Sequence, residues 1–317
     1  MVLILHNTDM RILVVGGTGL VGRRLCAALA RAGHDLRAIS RNVPRSTPHL
    51  PAGTDLRPLP RTDAEWSSLV DGCNAIFNLA GEGIVDGRWT DARKKALHDS
   101  RIGITENLVR ACESTVRRPR VLINASAIGF YGPHGDEDLN ETSAPGDDFL
   151  AEMCVAWEQA ALAASECGLR VVTLRIGVVL SMDGGSLERM LPPFRLGLGG
   201  PFGTGEQYFS WVHEDDLTGL LMHALDNDSI EGAMNGTAPK PVRNGEFAKT
   251  LGSILNRPAF LSPPDFVIRL AFGEVADAIL LTGQKVLPAV AQKSGYKFRY
   301  ETAEEALRAL LDCPAPE

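Results

Sequence analysis

The stretch Arg11-Ile-Leu-Val-Val-Gly-Gly-Thr-Gly-Leu-Val-Gly22 constrains the fold of this chain more than any other. Arg11 to Val15 read as a short buried strand, Gly16-x-x-Gly19-x-x-Gly22 as a turn, and the residues beyond as an amphipathic helix. In such a unit each glycine has its own task. Gly16 allows the tight turn off the strand, Gly19 lets a pyrophosphate approach the backbone, and Gly22 lets helix and sheet pack closely. Free N–H groups at the helix start, backed by the helix dipole, are then placed to hold phosphates. Thr18, Leu20 and Val21 complete this dinucleotide turn.

Strand and helix signals continue to alternate downstream. The first helix runs from about Leu20 to Ala32, with Leu25, Leu29 and Ala32 on one stripe and Gly33 as the terminating glycine. Strands are expected at Leu36–Ser40, Asp55–Leu59, Ala75–Leu79, Val121–Ala125 and Arg170–Ile176. Helices are expected near Trp66, over Thr90–Ser114 and over Phe149–Glu166. Six strands alternating with helices predict an α/β fold, a Rossmann-type doubly wound parallel sheet with a smaller C-terminal substrate lobe. Ligands then bind at the carboxyl ends of the strands. The cofactor domain is expected over residues 10–176, with return segments from 210–240, and the lobe over 177–317. Ser186 to Gln207 is rich in glycine and proline and too irregular for a sheet. Pro263-Pro264-Asp265 starts a further helix with Val267, Ile268 and Ala271 on one face, and a last helix covers Ala303–Leu311.

At 317 residues the chain suits one large α/β domain or two lobes. Its net charge of −7 argues against nucleic acid or an anionic membrane surface as the main partner. Six cysteines (Cys26, Cys73, Cys112, Cys154, Cys167 and Cys313) form no C-x-x-C pair and no cluster with histidine. No metal site or disulfide framework is indicated, and a cytoplasmic location is expected. No apolar run is long enough to span a bilayer. Met10 directly precedes the first strand, so residues 1–9 read as an upstream extension.

The second strand ends in Ser40-Arg41, where the group that meets the adenosine ribose belongs. An aspartate there would repel a 2′-phosphate, whereas an arginine pairs with one. Asp35 lies at the other end of the strand. NADP(H) is therefore expected over NAD, with a solvated strand-end charge as the plainer reading of Arg41. The small residues after the fourth strand make Leu79, Ala80 and Gly81 cofactor neighbours, or parts of an ordinary turn.

By this point the chain resembles an extended short-chain dehydrogenase/reductase over essentially Arg11 to Leu311. Gly-Gly-Thr-Gly-Leu-Val-Gly, Asn-Leu-Ala-Gly, Ser-Ala-Ile-Gly-Phe-Tyr-Gly and Trp-Val-His-Glu-Asp-Asp-Leu carry the likeness. More narrowly it resembles the atypical, YfcH-like branch, labelled nucleoside-diphosphate-sugar epimerase-like. Phe149-Leu-Ala-Glu-Met-Cys-Val-Ala-Trp-Glu158, Leu191-Pro-Pro-Phe-Arg195, Gly205-Glu-Gln-Tyr-Phe-Ser-Trp211 and a C-terminal extension from about Arg257 carry that narrower likeness. The resemblance implies a small carbonyl, hydroxyl or sugar-nucleotide substrate.

The departure from the wider family is as informative. Those enzymes use a Tyr-x-x-x-Lys pair on the helix after strand five, the tyrosine moving a proton and the lysine lowering its pKa. Here Phe149 or Leu150 falls at the tyrosine place and Met153 or Cys154 at the lysine place. Ala127 stands where the assisting serine belongs, with Ser126 beside it. Three substitutes present themselves: Ser126, which would also touch the cofactor, Tyr131 and His213. Against each stands a bland reading as a pocket-lining or hydrogen-bonded loop residue. Glu141, Asp147 and Asp148 read as solvated loop acids near the mouth. Two functions follow: an NADP(H)-dependent oxidoreductase or epimerase-like enzyme, or an NADP(H)-binding sensor or scaffold without turnover.

Overall fold

The computed structural model of the chain describes residues 10–311. Residues 1–9, read above as an extension, and Cys313 fall outside them. Seven parallel strands form the central sheet: β1 (Arg11–Val15), β2 (Asp35–Ser40), β3 (Asp55–Pro58), β4 (Ala75–Asn78), β5 (Val121–Ala127), β6 (Arg170–Ile176) and β7 (Gly232–Gly236). Their order is β7-β6-β5-β4-β1-β2-β3. The chain runs outward from β1 to β3 and then crosses back to β4. The crevice above the ends of β1 and β4 is therefore the topological switch point of the sheet.

Ten helices are named here: α1 (Leu20–Arg31), α2 (Asp63–Val70), α3 (Asp91–His98), α4 (Ile104–Ser114), α5 (Phe149–Leu162), α6 (Gly185–Arg195), α7 (Glu214–Asp226), α8 (Asn244–Ile254), α9 (Asp265–Phe272) and α10 (Ala303–Leu310). Successive side chains of a strand point to opposite faces. Ile12 and Val14 accordingly pack with Leu25 and Leu29 of α1 and Leu217, Leu220 and Leu221 of α7. Leu13 and Val15 pack on the other face with Trp66 and Leu69 of α2 and Leu108 and Val109 of α4. A separate core of Leu187, Leu191, Phe194, Trp211, Phe247, Leu251 and Leu307 joins α6, α8 and α10 into the second lobe.

The C-terminal segment returns to the sheet domain. Lys285–Val286 pairs in parallel with Asp138–Leu139, and Asn235 of β7 donates its side-chain amide to the Leu287 carbonyl at 2.9 Å. The carboxylate of Asp216 on α7 accepts the backbone N–H groups of Arg299 and Tyr300 at 2.8 and 3.0 Å.

Four sequence expectations are revised. The sheet has a seventh strand, β7, whose Gly-Ala-Met-Asn-Gly lacks the β-branched and aromatic residues that signal a strand. The long helix of residues 90–114 is interrupted by a wide π turn at Asp99–Gly103. A true helix, α6, lies within the stretch read as irregular, although it contains Pro192 and Pro193. On α9 only Ile268 of the three proposed core residues is buried; Val267 and Ala271 are exposed, as are Phe266 and Leu270.

Candidate functional site

The glycine turn sits in the switch-point crevice. Gly16 has φ +81°, and a Cβ there would come within 2.6 Å of the Leu79 carbonyl in the turn after β4. A Cβ on Gly22 would come within 2.2 Å of the Gly16 carbonyl, so turn and helix can close up only with glycine at both places. Gly19 is exposed and begins α1 with no side-chain cap, and the first turn of α1, Leu20 to Gly22, carries no acid. Thr18 and Val21 stand half-buried beside it. This open, uncapped helix start matches what a pyrophosphate requires.

Toward β2, the two residues proposed for the adenosine end behave differently. Ser40 is buried, with its hydroxyl 2.7 Å from that of Ser46 and accepting the Asn42 N–H at 3.0 Å. Its side chain ties the turn after β2 together. The Arg41 side chain is 82% exposed and lines a cavity of about 550 Å³ with Pro58, Leu59, Arg61 and Glu65. Sequence reasoning missed Arg61, a second arginine lining the same cavity. Glu65 spends its carboxylate on the backbone N–H groups of Arg61 and Thr62 at 2.6 and 3.1 Å. Asp35 stays at the far end of β2, paired with Arg11 at 2.7 Å.

On the other side of β1, Leu79 and Ala80 are half-buried and Gly81 is exposed at the crevice. Their turn is fixed from below. Asn78 donates to Asn124 of β5 at 2.6 Å and to Thr105 of α4 at 2.8 Å, and accepts the Ala80 N–H at 3.3 Å.

The three substitutes for the missing proton-transfer pair each have a hydrogen-bond partner within the protein. Ser126 is buried and donates to Glu158 of α5 at 2.6 Å. Arg175 of β6 grips Glu158 with two bonds of 2.8 Å and lies 3.4 Å over the Phe130 ring. Arg175 also donates to the Tyr131 hydroxyl at 3.0 Å, and that hydroxyl donates to Asn235 at 2.7 Å. Tyr131 is thus fully buried inside a continuous network, and burial raises its phenol pKa. Sequence reading singled out Ser126 and Tyr131 of this network but not Glu158, Arg175 or Asn235. The visible signal was an acid within an otherwise apolar face of α5.

His213 is buried, accepts the Asp215 N–H at 3.0 Å as the cap of α7, and stacks on Tyr300 at 4.0 Å. Burial pulls its pKa down to about 4, so the ring is neutral near pH 7. Of the three loop acids, Glu141 accepts the N–H groups of Asn235 and Val290, both at 3.0 Å, and Asp148 caps α5 through Ala151 at 2.8 Å. Asp147 is exposed. Leu150, Met153 and Cys154 are buried, and burial pushes the Cys154 thiol up to about 12. Among the described residues, no group of His, Cys, Asp and Glu is placed to hold a metal, and no helix is long and apolar enough to cross a membrane.

Sheet order, glycine turn and crevice define a Rossmann-type protein with a dinucleotide seat and an added lobe. Residues 12–235 match the NAD dependent epimerase/dehydratase family, and residues 263–310 match DUF1731, a domain of unknown function. The chain belongs to the NAD dependent epimerase/dehydratase family. It is 42% identical over 307 residues to an Arabidopsis thaliana chloroplastic homolog of epimerase family protein SDR39U1, covering 96% of this chain and 88% of that one. It is 40% identical to a Mycobacterium tuberculosis epimerase family protein, covering 93% and 95%. A crystal structure of human SDR39U1 with NADPH superposes with a TM-score of 0.85 at 35% identity, covering 96% of this chain and 99% of that one.

Proposed function

We propose that the chain binds NADP(H) and acts as an atypical oxidoreductase or epimerase-like enzyme on a small carbonyl, hydroxyl or sugar-nucleotide substrate. The observation that carries the cofactor choice is the unburied guanidinium of Arg41 beside Arg61 on the cavity past β2. Two arginines lining one cavity suit a phosphate dianion better than a ribose hydroxyl. Gly16, Gly19, Leu20, Val21 and Gly22 would seat the pyrophosphate, Thr18 would border it, and Leu79, Ala80 and Gly81 would flank the nicotinamide half. The bound nicotinamide would supply hydride exchange. Human SDR39U1, crystallised with NADPH, supports the same choice. Six cysteines and an acidic chain fit a reducing cytosol and a small-molecule ligand.

A second reading, an NADP(H)-binding sensor without turnover, is favoured by one observation: Ser126, Tyr131 and His213 are all buried in internal contacts.

Thermal unfolding with NADPH, NADP+, NADH and NAD+ tests the cofactor choice. Stabilisation by the phosphorylated pair is expected, and R41D should weaken NADPH on the order of tenfold or more while leaving NADH nearly unchanged. Equal losses would overturn the phosphate assignment. NADPH consumption with carbonyl substrates or cell-extract fractions then separates enzyme from sensor.

A further inference from the structure

Arg101 lies in the π turn Asp99–Gly103 between α3 and α4 and is 8% exposed. Its guanidinium is held by carbonyls: Nη1 donates to Leu97 at 3.1 Å and Nη2 to Glu82 at 2.8 Å. Nη1 also lies 3.5 Å from the Ser100 hydroxyl. Among the described residues no carboxylate pairs with it. Glu82, whose backbone it touches, gives its carboxylate to Arg93 and, at 3.7 Å, to Arg41. One side of the guanidinium faces the indole of Trp157 on α5, 5.4 Å from its centre. The guanidinium also lies against Gly81, where a Cβ would come within 3.0 Å of its Cζ. Gly81 is thus glycine for a second reason: the space beside it is occupied by a cation.

A charge kept out of water without a counter-ion is costly. Arginine cannot escape the cost by losing its proton, although burial lowers its pKa. The π turn, a local departure that recurs at functional sites, is what carries this side chain inward. Its place in the crevice follows from the sheet order. Arg41 marks the adenosine end, beyond β1 on the β2 side, so the opposite end of a dinucleotide lies over β4 and β5, where Gly81 is exposed. The neighbouring positions on α5, Met153 and Cys154, are uncharged and buried.

We propose that Arg101, packed beside Gly81 and near Trp157, is a positioning residue that makes this crevice prefer NADPH over NADP+. The reduced nicotinamide ring is neutral and the oxidised ring carries a positive charge. A fixed cation beside that half of the site therefore penalises only the oxidised form. This rests on the NADP(H) reading above and goes beyond it, by assigning the redox state in which the cofactor is held.

The test is the ratio of two dissociation constants, measured by calorimetry on the full chain for the wild type and for R101M, R101Q and R101K. The wild type is expected to bind NADPH the more tightly. R101M and R101Q should shrink the NADP+/NADPH ratio of Kd values on the order of tenfold, and R101K should keep it within about twofold. A residue with only a structural role would weaken both ligands alike and leave the ratio unmoved. A folded R101M with the wild-type ratio overturns the proposal, as does a wild type with no preference. R101Q retains an amide donor and carries the same expectation if R101M does not fold. Failure of the wild type to bind either cofactor would instead sink the NADP(H) reading itself.

Discussion

Replacing Arg175 by Met tests the most deeply buried charge network in the molecule. The Arg175 and Glu158 side chains are 5% and 7% exposed and share two bonds of 2.8 Å. Methionine removes the cation and keeps much of the aliphatic stem. Glu158 is left with the Ser126 hydroxyl as its remaining side-chain partner, and Tyr131 keeps only its bond to Asn235. Breaking a buried pair from one side costs about 3–5 kcal/mol, because the other charge stays desolvated. At roughly 1.5–2 °C per kcal/mol for a chain of this size, Tm should fall by about 4–10 °C. The double variant E158Q/R175M removes both charges and should recover about half of that loss or more. Thermal and urea unfolding followed by circular dichroism, run as a double-mutant cycle, measures the coupling. If R175M lies within about 1 kcal/mol of the wild type, or the two single losses simply add, the network does not have the energetic role argued for it.

Two further predictions concern the turn and the cap. Gly22→Ala places a methyl 2.2 Å from the Gly16 carbonyl, so the turn must open; NADPH binding should fall at least on the order of a hundredfold, read by calorimetry, and near-native affinity would refute the packing argument. His213, with its pKa lowered from 6.5 to about 4, stays neutral when folded while the unfolded chain takes up the proton. Stability from this group is therefore complete above about pH 6.5 and lost as pH falls toward about 4, by at most about 3 kcal/mol. H213N keeps an acceptor for the Asp215 N–H and removes the titration, so urea unfolding across that window should show a flatter pH slope; identical slopes would refute it.

The sheet domain was legible wherever local pattern and tertiary role agree. β1, β4, β5 and β6 carry apolar runs bounded by turns, and the glycine turn announces its own helix. β7 was not legible, because Gly232–Gly236 joins the sheet only through the register supplied by β6. The cavity past β2 was half legible: Arg41 lines it from the strand end, whereas Arg61 reaches it from the segment after β3. The catalytic candidates show the limit most clearly. Ser126 and Tyr131 stand at expected places, but burial and partners from α5, β6 and β7 determine their chemistry, and no local spacing encodes those. Arg101 was invisible for the same reason, since its depth depends on a π turn inside a helix that otherwise reads as regular.

The return of the C-terminal segment to the sheet has a consequence for how the polypeptide is made. Val290 donates to Glu141 across 149 residues of chain, and the acid of Asp216 waits for the N–H groups of Arg299 and Tyr300. A ribosome-bound chain that has released only its first 236 residues already has every strand of the central sheet, yet leaves both acids without these partners. Such contacts, distant in sequence, close late and slowly. The nascent protein therefore completes the contacts of its first lobe only after Tyr300 has emerged, and a chain ended before Val290 leaves both acids without these partners.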